Sequence, residues 1–202
     1  MTTVDAAEAR ILGVLIEKEM TTPDVYPLTL AGVVAGCNQS TNRDPVMAVE
    51  EGEAEAALIR LHDAGLATPV RRPGDRATKF RHRLAEALEI DRQALAVLAV
   101  LLLRGAQTTG ELRQRTVRYV AFDSIEDVER VVDGLEESGL AARLARQPGQ
   151  SQRRVAQIMS APADFDDGEP DAVGVTDSNG SRLTELERRF DELLRRLGVD
   201  DL

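Results

Sequence analysis

A helical stripe recurs at a fixed offset along this chain. Ala54, Ala57, Leu58 and Leu61 stand at i, i+3, i+4 and i+7, and Val128, Val131, Val132 and Leu135 repeat that spacing 74 positions later. Apolar residues so spaced make one face of an amphipathic helix. The offset then runs through the helix stop. Gly65, Leu66 and Ala67 match Gly139, Leu140 and Ala141, with each glycine where a left-handed cap is needed and each leucine opening an extended segment. Pro73-Gly74 and Pro148-Gly149 each mark a turn between strand-like flanks. A repeat of helix plus hairpin narrows the architecture sharply, because each copy must cover the same apolar face in the same way.

Two further helices precede each copy. Ala7, Ile11, Leu12, Leu15 and Ile16 form one stripe and, after the Thr22-Pro23 break, Leu30, Val33, Val34 and Cys37 form another. In the second copy Asp91 caps a helix carrying Leu95, Leu98 and Leu102, and Thr108-Thr109-Gly110-Glu111 is a capping box that opens the next. Three helices and a hairpin, given twice, is the order of a winged helix. The expected fold is therefore mainly α with small β-hairpins, an α+β class. It comprises winged-helix domain 1 over residues 1–88, winged-helix domain 2 over 89–159, a flexible acidic linker over 160–181 and a C-terminal helix over 182–202.

In that last segment Leu183, Leu186, Phe190, Leu193 and Leu197 alternate spacings of three and four, the seam of a coiled coil, so a homo-oligomer or a docked partner is expected there. The longest apolar run, Ala94 to Leu103, is about half of the roughly 20 residues that a membrane span requires, so no membrane association is expected. Asp5 and Glu8 stand where an export signal would be basic and then apolar, which makes the cytoplasm the expected location. The net charge of −10 is concentrated beyond Ser160, where twelve acids face five arginines. The helical body thus carries little net charge.

Several local stretches resemble a known family. Leu15-Ile16-Glu17-Lys18, Thr21-Thr22-Pro23-Asp24, Tyr26-Pro27-Leu28, Cys37-Asn38-Gln39, Asn42-Arg43 and Pro45-Val46-Met47 are similar to the uncharacterised bacterial YceH-like family. So are Leu101 to Gly105, Thr108 to Arg113 and the terminal helix. The resemblance implies a tandem winged-helix fold and implies no established biochemical function. One departure is Glu50, where the family usually has a better capping residue, with Gly52 following in the first turn.

Candidate contact residues for nucleic acid fall in three groups. The polar loop from Asn38 to Pro45 offers Asn42 and Arg43, whose donors suit phosphate or a base edge; the alternative is that they satisfy the loop itself. The first wing carries Arg71, Arg72, Arg76, Lys79, Arg81 and Arg83 against Asp75 alone. The second adds Arg143, Arg146, Arg153 and Arg154, and Arg113, Arg115 and Arg118 lie on the preceding helix and its exit. Such arms could neutralise duplex phosphates, although a charged hairpin edge kept from aggregating looks much the same. The third helices argue otherwise: residues 50–64 and 124–138 are strongly acidic and would repel phosphate in a major groove.

No enzyme is expected. His62 and His82 lie in different elements with no nucleophile beside them, and no phosphate-loop, dinucleotide or zinc-hydrolase motif is present. The lone Cys37 has no metal-ligand companion, so neither a metal nor another cofactor is expected. The reading is a DNA-associated regulatory protein that touches phosphates through its wings; the alternative is a protein-interaction module that works through winged-helix surfaces and the C-terminal helix.

Overall fold

The computed structural model describes residues 3–146 and 152–160. The stripes of the repeat become helices of identical length at the expected offset, α3 over Glu51–Asp63 and α7 over Ile125–Glu137. Ala54, Ala57, Leu58 and Leu61 are buried, as are Val128, Val132 and Leu135, while Val131 is half-buried. Both helices end alike. Gly65 and Gly139 hold φ of +73° and +65°, and the N–H groups of Leu66 and Leu140 reach back to the carbonyls of Leu61 and Leu135 at 2.9 and 2.8 Å. That six-residue closure needs a left-handed residue and so selects glycine.

Around these two helices the same order is laid down twice. The first half runs α1 (Ala6–Thr21), a short 3-10 turn (Pro23–Val25), β1 (Leu28–Thr29), α2 (Leu30–Cys37), α3, then strands β2 (Ala67–Val70) and β3 (Lys79–His82). The second half, after the short α4 (Leu84–Leu88), runs α5 (Arg92–Arg104), α6 (Thr109–Thr116), α7, β4 (Ala141–Arg143) and β5 (Val155–Gln157). In the first half β3 is central, pairing antiparallel with β1 on one side and β2 on the other. The second half copies this arrangement in shorter form: β4 pairs with β5, and Gln107 bridges Val155 through two hydrogen bonds of 2.9 and 2.7 Å. Thr29, the last residue of β1, and Thr108, just after the Gln107 bridge, cap α2 and α6, each accepting an N–H at 3.2 Å.

Capping follows the expected residues. Asp91 accepts from the Ala94 N–H at 2.8 Å, and Glu111 closes the box by accepting from the Thr108 N–H at 2.9 Å. The start of α3 is looser. Glu53 takes the Glu50 N–H at 3.4 Å, a weaker closure than those at α1, α6 and α7, which measure 2.8, 2.9 and 3.1 Å.

The core does not stop at the boundary between the halves. Residues 95–103 of α5 are buried on every face, and so are residues 7–17 of α1. Helices covered all round need neighbours all round, and α1 and α5 form the most extensive helix pair of the structure. Gly13 makes the approach close: a Cβ there would lie 2.8 Å from Leu103 Cγ and 3.1 Å from Leu102 Cβ. The strand-like Val4 donates to the Met159 carbonyl at 2.8 Å, which ties the entry of the first half to the exit of the second. The described residues accordingly belong to one compact unit. No helix among the described residues is long and apolar enough to cross a membrane.

A side chain at the α1–α5 crossing should force the two helices apart. Gly13→Val is expected to cost about 2 kcal/mol through overpacking against Leu102 and Leu103, read as a lower urea midpoint with an unchanged slope. Gly65→Ala and Gly139→Ala should each cost about 1 kcal/mol from left-handed backbone strain, which at Gly65 is the whole effect because a Cβ there meets open space.

Candidate nucleic-acid interface

The first wing is the most exposed of the basic groups. Arg71, Arg72, Arg76, Arg81 and Arg83 are exposed and Lys79 is half-exposed on the β2–β3 hairpin. Its tip is shaped by Asp75, which accepts the Arg72 N–H at 2.7 Å and returns its own N–H to the Arg72 carbonyl at 3.0 Å, while Gly74 takes φ of +93°. This turn consumes the one acidic side chain of the wing. Arg81 stands 3.7 Å from Glu86. Among the described residues, the guanidinium groups of Arg71, Arg72, Arg76 and Arg83 and the ammonium of Lys79 enter no ion pair.

The wing is anchored at its base by a pair that sequence spacing could not suggest. His82, buried at the end of β3, lies with Nε2 2.8 Å from the Glu19 carboxylate of α1. Its Nδ1 accepts the Leu84 N–H at 3.3 Å, which leaves the ring proton on Nε2 to be donated to Glu19. The Tyr26 hydroxyl accepts the His82 backbone N–H at 2.9 Å, and burial lifts that phenol far above its ordinary range. The hydrogen bond from His82 holds the Glu19 carboxyl below its usual value.

The other candidates are mostly engaged inside the protein. Arg43 is buried, and this corrects its place among the surface contacts: its guanidinium meets Glu17 of α1 at 2.6 Å and Gln39 at 2.9 Å, and donates to the Gly36 carbonyl at 3.0 Å. A side chain so enclosed cannot reach a phosphate. Its partner is Glu17 and not the adjacent Asp44. Asn42 takes φ of +61° and accepts a hydrogen bond from Arg104 at the end of α5. Asn38 exchanges two hydrogen bonds with the backbone of Val49, at 2.9 and 2.7 Å, so the loop from Asn38 to Pro45 is built into the body. Arg10, buried in α1, fastens it further by donating to the Pro45 carbonyl at 2.7 Å.

In the second half Arg143 is enclosed by Glu129, Asp133 and Glu136 of α7. Arg113 donates to the Asp123 carbonyl at 2.7 Å, and Arg154 to the Ala106 carbonyl at 2.8 Å. Arg146 and Arg153 are exposed. Pro148-Gly149 and the seam of Leu183, Leu186, Phe190, Leu193 and Leu197 lie outside the described residues. The acidic α3 keeps Glu51, Glu53, Glu55 and Asp63 exposed, and its single arginine, Arg60, is drawn to Asp5 and Glu8 at 2.6 Å each.

Sequence reasoning overlooks Glu17, on which much of this arrangement turns. Its carboxylate is 1% exposed and receives Arg43, the Tyr119 hydroxyl at 3.3 Å and, more loosely, Arg118 at 3.6 Å. The signal is present: an acid that directly continues the apolar run Val14-Leu15-Ile16 stands where the helix is buried, and a buried acid must be paired.

Mixed α+β architecture, with helices followed by a small antiparallel hairpin in each half, defines the class of the protein. The chain belongs to the family described as "Protein of unknown function, DUF480", whose family model matches residues 4–150. It is 40% identical over 193 residues to a UPF0502 protein of Solibacter usitatus, covering 95% of this chain and 93% of that one. It is 42% identical over 189 residues to a UPF0502 protein of Xanthomonas campestris, covering 92% and 84%, and 38% identical over 210 residues to one of Klebsiella pneumoniae, covering 96% and 97%. These are bacterial relatives, in keeping with the family that the sequence resembles.

Removing one member of the buried pair should be costly. Arg43→Ala is expected to destabilise the protein by about 3–5 kcal/mol in urea unfolding, whereas Glu17→Leu combined with Arg43→Met should recover most of that loss. Glu19 gives a pH signature. Its carboxyl is lowered in the folded state, so its contribution is present above the ordinary value of 4.5 and is lost as pH falls through the folded value. The gap in urea midpoint between wild type and Glu19→Gln should therefore be widest above about pH 4.5 and close on further acidification.

Proposed function

We propose that this chain is a non-enzymatic tandem winged-helix protein, with halves meeting near residues 88 and 89, that holds duplex DNA by phosphate contacts from its first wing. The observation that carries this reading is the hairpin bearing Arg71, Arg72, Arg76, Lys79 and Arg83, solvent-accessible and without ion pairs among the described residues. Elsewhere the basic side chains are largely committed internally: Arg43 to Glu17, Arg143 to α7, Arg60 to the start of α1. An unpaired guanidinium on a solvated hairpin loses little when it trades water for phosphate, and releases the counterions condensed on the duplex. The acidic α3 repels the backbone, so the contact is made by the wing, reads no base edge and tolerates any sequence. The expected protein is an architectural or regulatory one that works in the cytoplasm.

A second reading rests on α3 itself. Its outer face combines Glu51, Glu55 and Asp63 with Ile59, which is 58% exposed. An apolar side chain ringed by acids suits a basic protein surface better than a nucleic acid.

Fluorescence anisotropy of a labelled duplex at several salt concentrations tests the DNA reading. Wild type should bind with a steep log-log salt slope, and Arg71→Ala, Arg72→Ala and Arg76→Ala together should reduce its magnitude by about 0.9 for each phosphate that is no longer neutralised. Glu53→Gln with Glu55→Gln should strengthen binding modestly. No binding at low salt would end the DNA reading and leave the α3 surface as the one to pursue.

A further inference from the structure

The root of the first wing is held by one imidazole that uses both of its nitrogens. His82, buried at the end of β3, reaches α1 through Nε2, 2.8 Å from the Glu19 carboxylate, and α4 through Nδ1, which accepts the Leu84 N–H at 3.3 Å. Leu84 is the fully buried first residue of α4. Five residues cannot sustain a helix alone, so α4 depends on its few closures. The Ala87 N–H donates to the Arg83 carbonyl at 2.8 Å, the Ile90 N–H to the Ala85 carbonyl at 3.2 Å, and the Leu84 N–H to the His82 ring. This short helix joins the wing to the second half and packs on α5.

A neutral imidazole satisfies both neighbours because one nitrogen donates and the other accepts. A second proton makes both nitrogens donors, and the new N–H then faces the Leu84 N–H in a place closed to water. The two contacts are unequal. Imidazolium against carboxylate is a charge-assisted bond, roughly twice as strong as a neutral one, whereas 3.3 Å lies at the long end for a hydrogen bond. The Leu84 contact therefore yields first.

The ionisable groups around the ring come from each element at the joint: Glu19 of α1, Tyr26 after the 3-10 turn, Arg81 of β3, Glu86 of α4 and Arg92 at the start of α5. Arg81 stands 3.7 Å from Glu86, which offsets it. The hydrogen bond from His82 keeps Glu19 ionised to below the usual carboxylate range, and burial keeps the Tyr26 hydroxyl protonated far above neutrality. Histidine alone among these side chains ordinarily changes charge between about pH 5 and 8. His62, exposed on α3, touches the carbonyl of Ala67, the residue paired with His82, and is the control for any effect of acid.

We propose that His82 is an acid-sensitive joint: on taking a second proton its ring keeps Glu19 and releases the Leu84 N–H, so that α4 opens and the wing stays on the first half while its tie to the second loosens. The device does not depend on what the wing binds.

A pH titration of the full-length, nitrogen-15-labelled protein by NMR tests the proposal. Long-range proton–nitrogen spectra report the tautomer and charge of its two histidines, and His82 should carry its single proton on Nε2 before it charges. As it charges, amide exchange at Leu84, Ala87 and Ile90, corrected for the intrinsic effect of pH, should quicken at least tenfold, while Leu66 and Leu140 keep their protection. Glu19→Gln removes the charge that favours the imidazolium and should move the transition to lower pH. His62→Gln should leave it in place. His82→Asn, whose Oδ1 accepts the Leu84 N–H at every pH, should abolish it; the wild-type titration and Glu19→Gln are decisive without that variant. An Nδ1–H tautomer, exchange at Leu84 that does not follow the His82 charge, a transition unmoved by Glu19→Gln, or equal quickening at Leu66 and Leu140 overturns the proposal.

Discussion

The contact between α1 and α5 decides the arrangement of the described residues. A helix with one apolar stripe can lie on the surface of a single small domain, but α1 is covered on all sides from Ala7 to Glu17 and α5 from Leu95 to Leu103. Neither half alone has enough partners to do that. Gly13 permits the backbones to approach so that Leu102 and Leu103 lie where a side chain would otherwise stand. Burial of each large aliphatic side chain is worth about 1.5–3 kcal/mol, so two helices of such residues outweigh the entropy of fixing one half against the other. The hydrogen bond from Val4 to Met159 and that from Asp44 to Leu103 follow from this placement.

Charged groups inside the same contact give it a unique register. Aliphatic side chains would accept a slide of one helix along the other with small penalty, whereas Glu17 must meet Arg43 and Tyr119, which come from opposite halves. Arg10 works similarly from the other end of α1. It is 2% exposed, forms no ion pair with a carboxylate among the described residues, and donates its two terminal nitrogens to the carbonyls of Cys37 and Pro45 while its Nε is buried without a hydrogen-bond partner, so it ties the loop to α1. Burial, and after it the charge of Arg43, depresses its pKa.

Local features of the fold are legible in the sequence because they are set by residues close together in the chain. The stripes of α3 and α7, the glycine closures, the caps at Asp91 and Thr108 and the Gly74 turn all depend on neighbours within about seven positions. What is not legible depends on distance. Glu17 and Arg43 are 26 residues apart, Glu19 and His82 are 63 apart, and Glu17 and Tyr119 are 102 apart. Glu17 and Tyr119 meet through the α1–α5 contact, and the other two pairs meet only once the first half has folded around α1, so in the sequence Arg43 reads as an available loop cation. Arg143 is a different case. Glu129, Asp133 and Glu136 fall on one face of α7 at helical spacing, and the hairpin returns past that face, so its engagement follows from spacing that the sequence already displays.

The distribution of paired and unpaired charge also bears on why a wing, and not a helix, would meet a polyanion. In α7 the single charge of Arg143 faces Glu129, Asp133 and Glu136 together, and in α3 the one arginine is turned toward α1, so neither third helix offers a net positive face. A hairpin tip has few neighbours with which its arginines could pair, and Asp75 is held by the backbone of its own turn. Cations therefore remain available in the loop between β2 and β3 and at the ends of β3 for a geometric reason: the hairpin projects from a body whose acidic surface is carried on helices. Its base is nevertheless fixed, through His82 to Glu19 and Tyr26, to the most deeply buried helix of the first half. A charged arm that is free at its tip is thus joined at its root to α1, which in turn packs on α5.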